Sequence, residues 1–280
     1  MSALEPLRTL PNTRQLGNQT VFTLSIKVTV AEGSFLHVGG TPSPLTEKKQ
    51  PVFSVEGQPV IPASSFKGAF RQQVEALFIE EKEAFAASLG LSGSQVELLK
   101  PSIPAPHPSK AEKDLFSRGY RDEHSEVRVD DDQVRVPHNG LCPVSYFFGA
   151  TGLEGYLRIS NFFSIPGEWR IDQTRIRIDR MSQTAAPRAI VTGEQVKPGS
   201  VFRGELLVFT ERQGTPFGRC RTFGGAAVDS WLNSWSEKED TKRQLFLLNK
   251  VLIPALRRVE VLGGQKSLGG GKVTLSLDET

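Results

Sequence analysis

The chain has 280 residues, of which 38% are hydrophobic and 23% charged, and its formal net charge is +3. This composition predicts a globular protein with a full hydrophobic core, in one large domain or two small ones. No apolar run approaches the roughly 20 residues of a membrane-spanning helix, and the first residues lack the apolar segment of a secretory signal. The only cysteines, Cys142 and Cys220, exclude a disulfide framework, so a reducing, cytoplasmic compartment is predicted.

The first third of the chain predicts a strand, a loop and two helices. Apolar and polar residues alternate over 20–33, which is typical of a half-buried strand, and a loop rich in glycine, proline and charge runs from Phe35 to Pro62. Ser64 or Ser65 is the predicted N-cap of the following helix, and a second helical stretch ends near Leu89. Four-residue spacing gives the first helix an apolar stripe of Phe66, Phe70, Val74 and Phe78.

The rest of the chain predicts an insertion, further strands and a third helix. Residues 100–140 are dense in proline and charge, which indicates an insertion with one short strand or hairpin. Strands are predicted within 155–164, 200–211 and 271–277. Residues 240–262 predict an amphipathic helix whose apolar face comprises Leu245, Leu248, Leu252, Leu256 and Val259. The order strand, helix, strands, helix, strand predicts an α+β fold with a ferredoxin-like (RRM-like) core, loop insertions and a protruding hairpin.

The first helix carries two cations where cations are unfavourable. Lys67 and Arg71 lie four residues apart near the helix start, so they share one face close to the positive end of the helix dipole. Together with Ser64, Ser65 and the unpaired backbone N–H groups, they could bind a phosphate backbone. The alternative is a capped helix with a solvated polar face, which this segment by itself favours.

Two glycine-rich segments could let the backbone approach a ligand closely. The segment LHVGG, which contains His37 and Gly39, follows the first strand. The second, within 262–277, has neither the spacing of a Walker loop nor a helix after it, so ATP binding is disfavoured. It could still hold a backbone phosphate, or it could be a flexible turn. Its candidate residues are Gly269, Gly270, Gly271 and Lys272, with Lys266 as a second cation.

Arginines are concentrated in the predicted hairpin. In an extended strand, Arg175 and Arg177 share one face, and Arg180 follows them just before the predicted hairpin tip at 181–189. This row could face phosphates. A solvated edge strand also favours charge, so both interpretations stay open.

The sequence offers one weak candidate for a metal site. A tetrahedral zinc site within the insertion would use His107, His124, His138 and Cys142. There is no Cys-x-x-Cys pair, and histidines in a polar insertion are usually exposed, so ordinary surface histidines are favoured. No hydrolase elbow, Ser-His-Asp order or His-Glu-x-x-His motif is present.

Five segments, in this order, resemble the RAMP (repeat-associated mysterious protein) superfamily of CRISPR systems, and in particular the repeated backbone subunit of type III effector complexes. They are LHVGG, PVIPASSFKGAFR, CPVSYFFGATGLEGYLRIS, RIRIDRMSQTA with GSVFRGEL, and SLGGGKV. They are spread over nearly the whole chain. The resemblance therefore implies a single RAMP domain over residues 1–280, with the insertion at 100–140 and a thumb hairpin at 175–195.

The resemblance also implies partners and a binding site. The expected partners are the CRISPR guide RNA, a complementary target RNA, neighbouring RAMP subunits and other effector subunits, with no membrane. The helix-start residues would lie against the guide backbone, and the thumb would wedge the guide–target duplex open at intervals. The residues expected to bind RNA are His37, Gly39, Ser64, Ser65, Lys67, Arg71, Arg177, Arg180, Met181, Thr184, Gly269, Gly270, Gly271 and Lys272.

Two departures from the family pattern bear on catalysis. Members that cut target RNA carry an aspartate before a Pro-Val pair, and Lys49 occupies that place here, with Glu47 as the fallback acid. An ammonium cannot take the role of the carboxylate. Ser145 stands where the family has a second cysteine that could bind zinc. No catalytic residue is assigned, and a subunit that binds without cleaving is expected. The alternatives are a metal-dependent endoribonuclease subunit that uses Glu47 and a stand-alone endonuclease with His37 as general base.

Overall fold

A computed structural model describes residues 4–40, 50–103, 118–130, 133–178 and 181–278. Its strands are β1 Thr13–Leu16, β2 Gln19–Val30, β3 Ser54–Val55, β4 Gln58–Ile61, β5 Ser102–Ile103, β6 Arg121–His124, β7 Arg128–Asp130, β8 Gln133–Arg135, β9 Leu157–Ile159, β10 Phe162–Ser164, β11 Arg170–Ile178, β12 Ala185–Val196, β13 Val201–Phe209, β14 Glu211–Arg212, β15 Thr215–Pro216, β16 Thr222–Phe223, β17 Ala226–Ala227 and β18 Val273–Leu277. Its α-helices are α1 Ala63–Glu80, α2 Lys82–Leu89, α3 Pro143–Phe148, α4 Asp240–Leu247 and α5 Ile253–Arg257. None of the helices in these ranges is long and apolar enough to span a bilayer.

The central sheet has the strand order of a ferredoxin-like fold. Strand β2 lies between β18 and β13, and β13 pairs in turn with β10, all antiparallel. Helix α1 follows β2 along the chain, and α4 and α5 lie between β13 and β18. This is the split β-α-β arrangement that the order of predicted elements indicates, so the predicted α+β, ferredoxin-like fold is confirmed.

The helices cover one face of this sheet. Alternate residues of β2, namely Leu24, Ile26, Val28 and Val30, are buried because successive side chains of a strand point to opposite faces. The predicted stripe of α1 is fully buried, and the ring of Phe66 stacks on that of Phe162 in β10, with the centroids 4.4 Å apart. The buried faces of β2 and α1 both belong to the main hydrophobic core, which accounts for the apolar periodicity of each.

The third predicted helix is interrupted. Its middle, Leu248–Leu252, is a π-helical segment that connects α4 to α5. Pro254 follows in the first turn of α5, and a proline cannot donate the backbone hydrogen bond of a regular helix. The register consequently changes, so Leu247 is fully buried and Leu245 only half-buried, whereas the other predicted face residues are buried as expected.

Helix α1 starts one residue after Pro62, which is its N-cap residue. The prediction that Ser64 or Ser65 caps the helix is therefore wrong, because both serines lie inside the first turn. The capping acceptor is the side-chain Oδ1 of Asn161, which receives the N–H of Ala63 at 2.8 Å. A cap from so far along the chain is not visible in local sequence.

Two predicted loops contain short strands. The hairpin β3–β4 lies within the predicted loop from Phe35 to Pro62, and β4 extends the main sheet by pairing with β10. The predicted insertion contains the parallel pair β5–β6 and the hairpin β7–β8, more than the single strand or hairpin expected. Strands β11 and β12 form a separate two-stranded ribbon, whose exposed apolar residues include Ile176, Ile178 and Met181.

Candidate nucleic-acid interface

The first two turns of α1 separate two clefts. Residues of an α-helix follow one another at about 100°, so Lys67 and Arg71 lie on one flank of the exposed face and Ser65 on the other. The serines line the smaller cleft and the cations line the larger one. The sequence predicts these residues as one cluster, and the structure divides them between two surfaces.

The smaller cleft, called the motif cleft below, has a volume of about 580 Å³. Two segments that carry the family resemblance, the LHVGG loop and the start of α1, converge on it together with residues 261–266, which precede the third, SLGGGKV. Its lining residues are Val38, Gly39, Pro62, Ser64, Ser65, Gly68, Ala69, Gln72, Val261, Leu262, Gly263, Gly264 and Lys266. Segments from opposite ends of the chain thus form one surface.

Close backbone packing holds the two loops of the motif cleft together. Gly263 has a φ of +74°, and a Cβ on it would lie 2.5 Å from the carbonyl oxygen of His37. The N–H of Gly264 donates to that same oxygen at 2.8 Å. Only glycine at position 263 allows this approach. A structural reason for this glycine therefore exists whether or not the cleft binds a ligand.

The polar groups of the motif cleft suit a phosphate backbone. The hydroxyls of Ser64 and Ser65 have no hydrogen-bond partner within the described part of the chain, and Lys266 is exposed. Apart from its chain neighbours and the adjacent backbone of α1, no atom lies within 4 Å of the position that a Cβ on Gly68 would take, so the helix surface is open there. Hydroxyl donors and a lysine beside an open helix surface can contact phosphate and sugar without reading bases.

His37 lies beside the motif cleft with one ring nitrogen already bonded. Its Nδ1 is 3.0 Å from the carbonyl oxygen of Glu194, which can only accept, so the proton is assigned to Nδ1. In the neutral ring Nε2 then carries the lone pair. Nε2 lies 3.7 Å from where a Cβ on Gly39 would stand, which places it next to an exposed residue of the cleft.

The four residues at 269–272 do not offer a phosphate cradle. The N–H groups of Gly269, Gly270 and Gly271 donate to the carbonyl oxygens of Lys266, Gln265 and Phe35, and the N–H of Lys272 donates to the Ser34 hydroxyl. Gly270 and Gly271 are buried, and Gly271 has a φ of +91°. The expected cradle is therefore corrected: all four donors are bonded within the protein, and those of Gly271 and Lys272 hold the terminal loop to residues 34–35. Gly263, Gly264 and Lys266 face the motif cleft instead.

The larger cleft, called the basic cleft below, has a volume of about 1330 Å³. It lies between α1, the loop after α3, β9 and the turn joining β14 to β15. Its five cationic residues, against the carboxylates of Glu126 and Glu154, are Lys67, Arg71, Arg128, Arg158 and Arg212. The excess of cations makes this surface positive.

Lys67 and Arg71 differ in how their charges are balanced. The ammonium of Lys67 donates to the carbonyl oxygen of Phe148 at 3.1 Å, and burial, together with the neighbouring Arg71 charge, lowers its pKa. Arg71 pairs with the Glu75 carboxylate at 2.9 Å, and Glu75 also accepts from the Tyr120 hydroxyl at 2.8 Å. Lys67 therefore has no carboxylate partner within the described residues, so an added anion would interact more favourably with Lys67 than with Arg71.

The arginine row predicted on the hairpin is built differently. Arg175 is half-buried, and its guanidinium donates to the side-chain oxygens of Gln173, at 3.0 Å, and Gln265. It therefore attaches the ribbon to the C-terminal loop instead of pointing to solvent. The side chain of Arg177 and all of Arg180 lie outside the described part of the chain.

The hairpin tip is strongly exposed. Met181 is 95% exposed, and Thr184 is exposed with its hydroxyl 2.9 Å from that of Ser182. An apolar side chain in this position can contact a ligand only if one reaches the ribbon.

The residues proposed for zinc do not form a shared centre in the described structure. Cys142 is fully buried and its sulfur accepts the Ser145 N–H at the start of α3, whereas His138 is exposed. His107 and the side chain of His124 lie outside the described part. Among described residues, no group of three His, Cys, Asp or Glu side chains could hold a metal ion. Lys49 and Glu47 also lie outside the described residues.

The fold and the two clefts define an RRM-like protein with a basic surface beside its first core helix. Residues 33–274 match the sequence model of the RAMP superfamily, and the chain belongs to that superfamily. No curated protein sequence matches it.

Two solved structures are similar to the chain over most of its length. One is a chain of a type III-B Cmr-beta complex bound to cognate target RNA, with 11% identity, a TM-score of 0.45 and coverage of 93% of this chain. This protein spans 60% of the length of that chain. The other is from the apo state of a type III-B Cmr-beta complex, with 16% identity, a TM-score of 0.43 and coverage of 92% of this chain and 98% of the other.

Sequence reasoning missed several residues of these clefts. Gly263 and Gly264 stand in the same glycine-rich segment as the triple glycine at 269–271, and no local pattern distinguishes which of these glycines face the cleft. Arg158 lies within the family-like segment CPVSYFFGATGLEGYLRIS, whose pattern does not mark it as a site residue, and Arg212 has no motif around it. Only the packing of distant elements brings them next to Lys67.

Proposed function

We propose that this protein is a guide-RNA-binding backbone subunit of a CRISPR type III-like effector complex, which displays the guide for pairing with target RNA and does not itself cleave. The observation that carries the proposal is the convergence of the LHVGG loop, the start of α1 and residues 261–266 on the motif cleft. Membership of the RAMP superfamily agrees with it.

The two clefts suggest a path for the guide backbone. RNA lying on the exposed face of α1 would have the hydroxyls of Ser64 and Ser65 and the Lys266 ammonium on one side. Lys67 and Arg71 would be on the other side, and Gly68 would lie beneath the strand. Contacts of this kind position a strand irrespective of its sequence, as a subunit that carries many guides requires. Hence the serines and the cations both serve the guide, although they line different clefts.

Stacking on neighbouring RAMP subunits and wedging of the duplex remain part of the proposal. The ribbon β11–β12 stands apart from the main sheet, and its most exposed apolar residue, Met181, is near the tip. An apolar side chain at the end of a ribbon can insert between bases, which is what the thumb role requires.

A nuclease remains the second candidate because of His37. Its Nδ1 bond to the Glu194 carbonyl leaves Nε2 as an acceptor beside the motif cleft, and a neutral imidazole nitrogen can act as general base towards a 2′-hydroxyl. Cleavage that is lost in His37→Ala without metal dependence would support that function. Cleavage lost in Glu47→Ala and dependent on a divalent metal would support the endoribonuclease alternative instead.

The sharpest test of guide binding is Gly68→Leu. Leucine favours a helix over glycine by up to about 1 kcal/mol, and the open space around position 68 accepts it. We expect the thermal midpoint to stay or rise, while the bulky side chain blocks the helix face. Guide RNA should then fail to co-purify with the subunit after co-expression with a guide.

Ala87→Leu is the matched control. Ala87 is an exposed position of α2 outside both clefts. The substitution therefore adds an apolar side chain that does not contact the proposed RNA path. Guide retained by Gly68→Leu as fully as by Ala87→Leu would contradict the proposal. Loss of guide in both variants would point to a general effect of surface hydrophobicity and would also contradict it.

A further inference from the structure

The sheet has a second face, turned away from the helices. In β2 the residues between the buried ones, Thr23, Ser25, Lys27 and Thr29, are half-buried. They point away from α1 because side chains alternate along a strand. We call this surface the open face. It is separate from both clefts, since α1 packs on the other side of the sheet.

One aromatic residue lies on the open face. Phe162 faces α1, where it stacks on Phe66, so the next residue, Phe163, points to the open face. Phe163 is 51% exposed. Exposing half of a phenylalanine ring on a strand of the central sheet is unfavourable in water.

Two cations continue from Phe163 across the sheet. Phe163 is the register partner of Arg203 in β13, and Arg203 is the partner of Lys27 in β2. Directly opposed residues have their Cβ atoms about 5 Å apart and on the same face. Phe163, Arg203 and Lys27 therefore form a row across three strands, called the aromatic–cationic row below.

The charges of the row are accessible. The Arg203 side chain is 59% exposed, and its Nε pairs with Asp278 at 2.7 Å, which leaves the other guanidinium nitrogens to bind a further anion. Lys27 has no ion pair within the described residues, and its partner on β18 is Ser276. A flat face with one aromatic ring, two cations and a hydroxyl has the chemistry of a nucleotide-binding platform.

We propose that the aromatic–cationic row binds single-stranded RNA, with a base stacked on Phe163 and phosphates at Arg203 and Lys27. Every base offers a face for stacking, so such a site tolerates any sequence. Val55 and Ile165 are also exposed, at 43% and 42%, and would suit an apolar protein partner. The cations beside the ring favour RNA instead, because a purely apolar partner would leave Lys27 without a counter-charge and would cover the Arg203–Asp278 ion pair.

The test uses the purified full-length chain and a short fluorescent oligouridylate that contains 4-thiouridine. Phe163→Ala should weaken binding about tenfold, as expected for the loss of one stacked base, and Phe163→Trp should retain it. Arg203→Met should flatten the slope of log affinity against log salt by about 0.7. Ile165→Ala is the matched control, an exposed aliphatic residue of the same region, and should leave the affinity unchanged.

Mapped crosslinks distinguish this site from the guide path. Crosslinks to residues 162–164 are expected in addition to those in α1. Crosslinks in α1 alone, with unchanged affinity of Phe163→Ala, would overturn the inference and leave the proposed function standing. Crosslinks to residues 162–164 alone would refute the proposed guide path on α1 and support RNA binding by the aromatic–cationic row. Unchanged RNA affinity together with altered sedimentation in both Phe163→Ala and Ile165→Ala would overturn the inference in favour of a protein-docking surface.

Discussion

Replacing Lys67 and Arg71 one at a time separates RNA binding from stability. The two side chains lie four residues apart in the basic cleft, yet their environments differ. Lys67→Met removes a cation whose folded-state pKa is lowered by burial and by Arg71. Because that pKa lies below its unfolded value, the charged ammonium destabilises the fold at neutral pH, and its removal relieves this effect.

Arg71→Met is expected to behave differently. The side chain of Glu75 is only 10% exposed, and within the described residues it would keep the Tyr120 hydroxyl, at 2.8 Å, as its partner. Leaving a buried carboxylate poorly paired costs about 1–3 kcal/mol. In Lys67→Met, relief of the partly desolvated charge, which solvent screens because the residue is exposed, opposes the loss of one hydrogen bond to Phe148, about 1 kcal/mol. We therefore expect a clearly lower thermal midpoint for Arg71→Met and little change for Lys67→Met.

Both variants should bind RNA with a weaker salt dependence. Each phosphate contact with a single strand contributes about 0.7 to the slope of log affinity against log salt. When the salt concentration rises fourfold, from about 50 to 200 mM, the affinity of every protein falls. The fold-decrease for wild type should be about 2.6 times the fold-decrease for either variant. Fluorescence anisotropy with a single-stranded guide at several salt concentrations measures this slope.

The matched control is Lys238→Met, which removes one exposed cation outside both clefts. Its slope should equal that of wild type. If Lys67→Met keeps the wild-type slope, Lys67 contacts solvent and not phosphate, and the reasoning from its unbalanced charge is refuted. Equal melting of the Lys67 and Arg71 variants would refute the stability argument.

Three further predictions concern the hairpin, catalysis and the terminal loop. Deleting residues 181–187 should leave guide binding intact but abolish the regularly displaced bases that chemical probing is expected to detect in the wild-type duplex; an unchanged probing pattern would exclude the thumb role. Wild-type complexes should leave labelled target RNA intact with a divalent metal, and Lys49→Asp should restore some cleavage; wild-type cleavage that Glu47→Ala abolishes would identify Glu47 as the catalytic acid. Gly271→Ala should lower stability by more than about 1 kcal/mol, because alanine is strained at a φ of +91° and its Cβ would lie 2.4 Å from the Leu262 carbonyl oxygen; an unchanged thermal midpoint would contradict this.

Local sequence patterns determined the elements of the core. The stripe of α1 and the alternation in β2 are readable because burial of one face imposes a fixed period on apolar residues. The order of those elements was enough to indicate the ferredoxin-like sheet, which the pairing of β2 with β13 and β18 confirms. The quoted motif segments likewise indicated the superfamily.

The grouping of the site residues was decided by tertiary structure. Lys67 and Arg71 share a cleft with Arg158 and Arg212, and the serines share another with residues 261–266. Sequence spacing places side chains around one helix, but which neighbours they meet depends on segments brought in from elsewhere in the chain.

Hydrogen-bond partners were equally invisible in the sequence. Asn161 caps α1, and the carbonyl oxygen of Phe35 accepts the N–H of Gly271. A glycine-rich run indicates that its backbone can lie close to another group. It does not indicate whether that group belongs to a ligand or to another segment of the protein. At residues 269–272 it is the protein: Gly269 and Gly270 donate to Lys266 and Gln265, and Gly271 and Lys272 donate to residues 34–35. Backbone donors that are buried must find such acceptors.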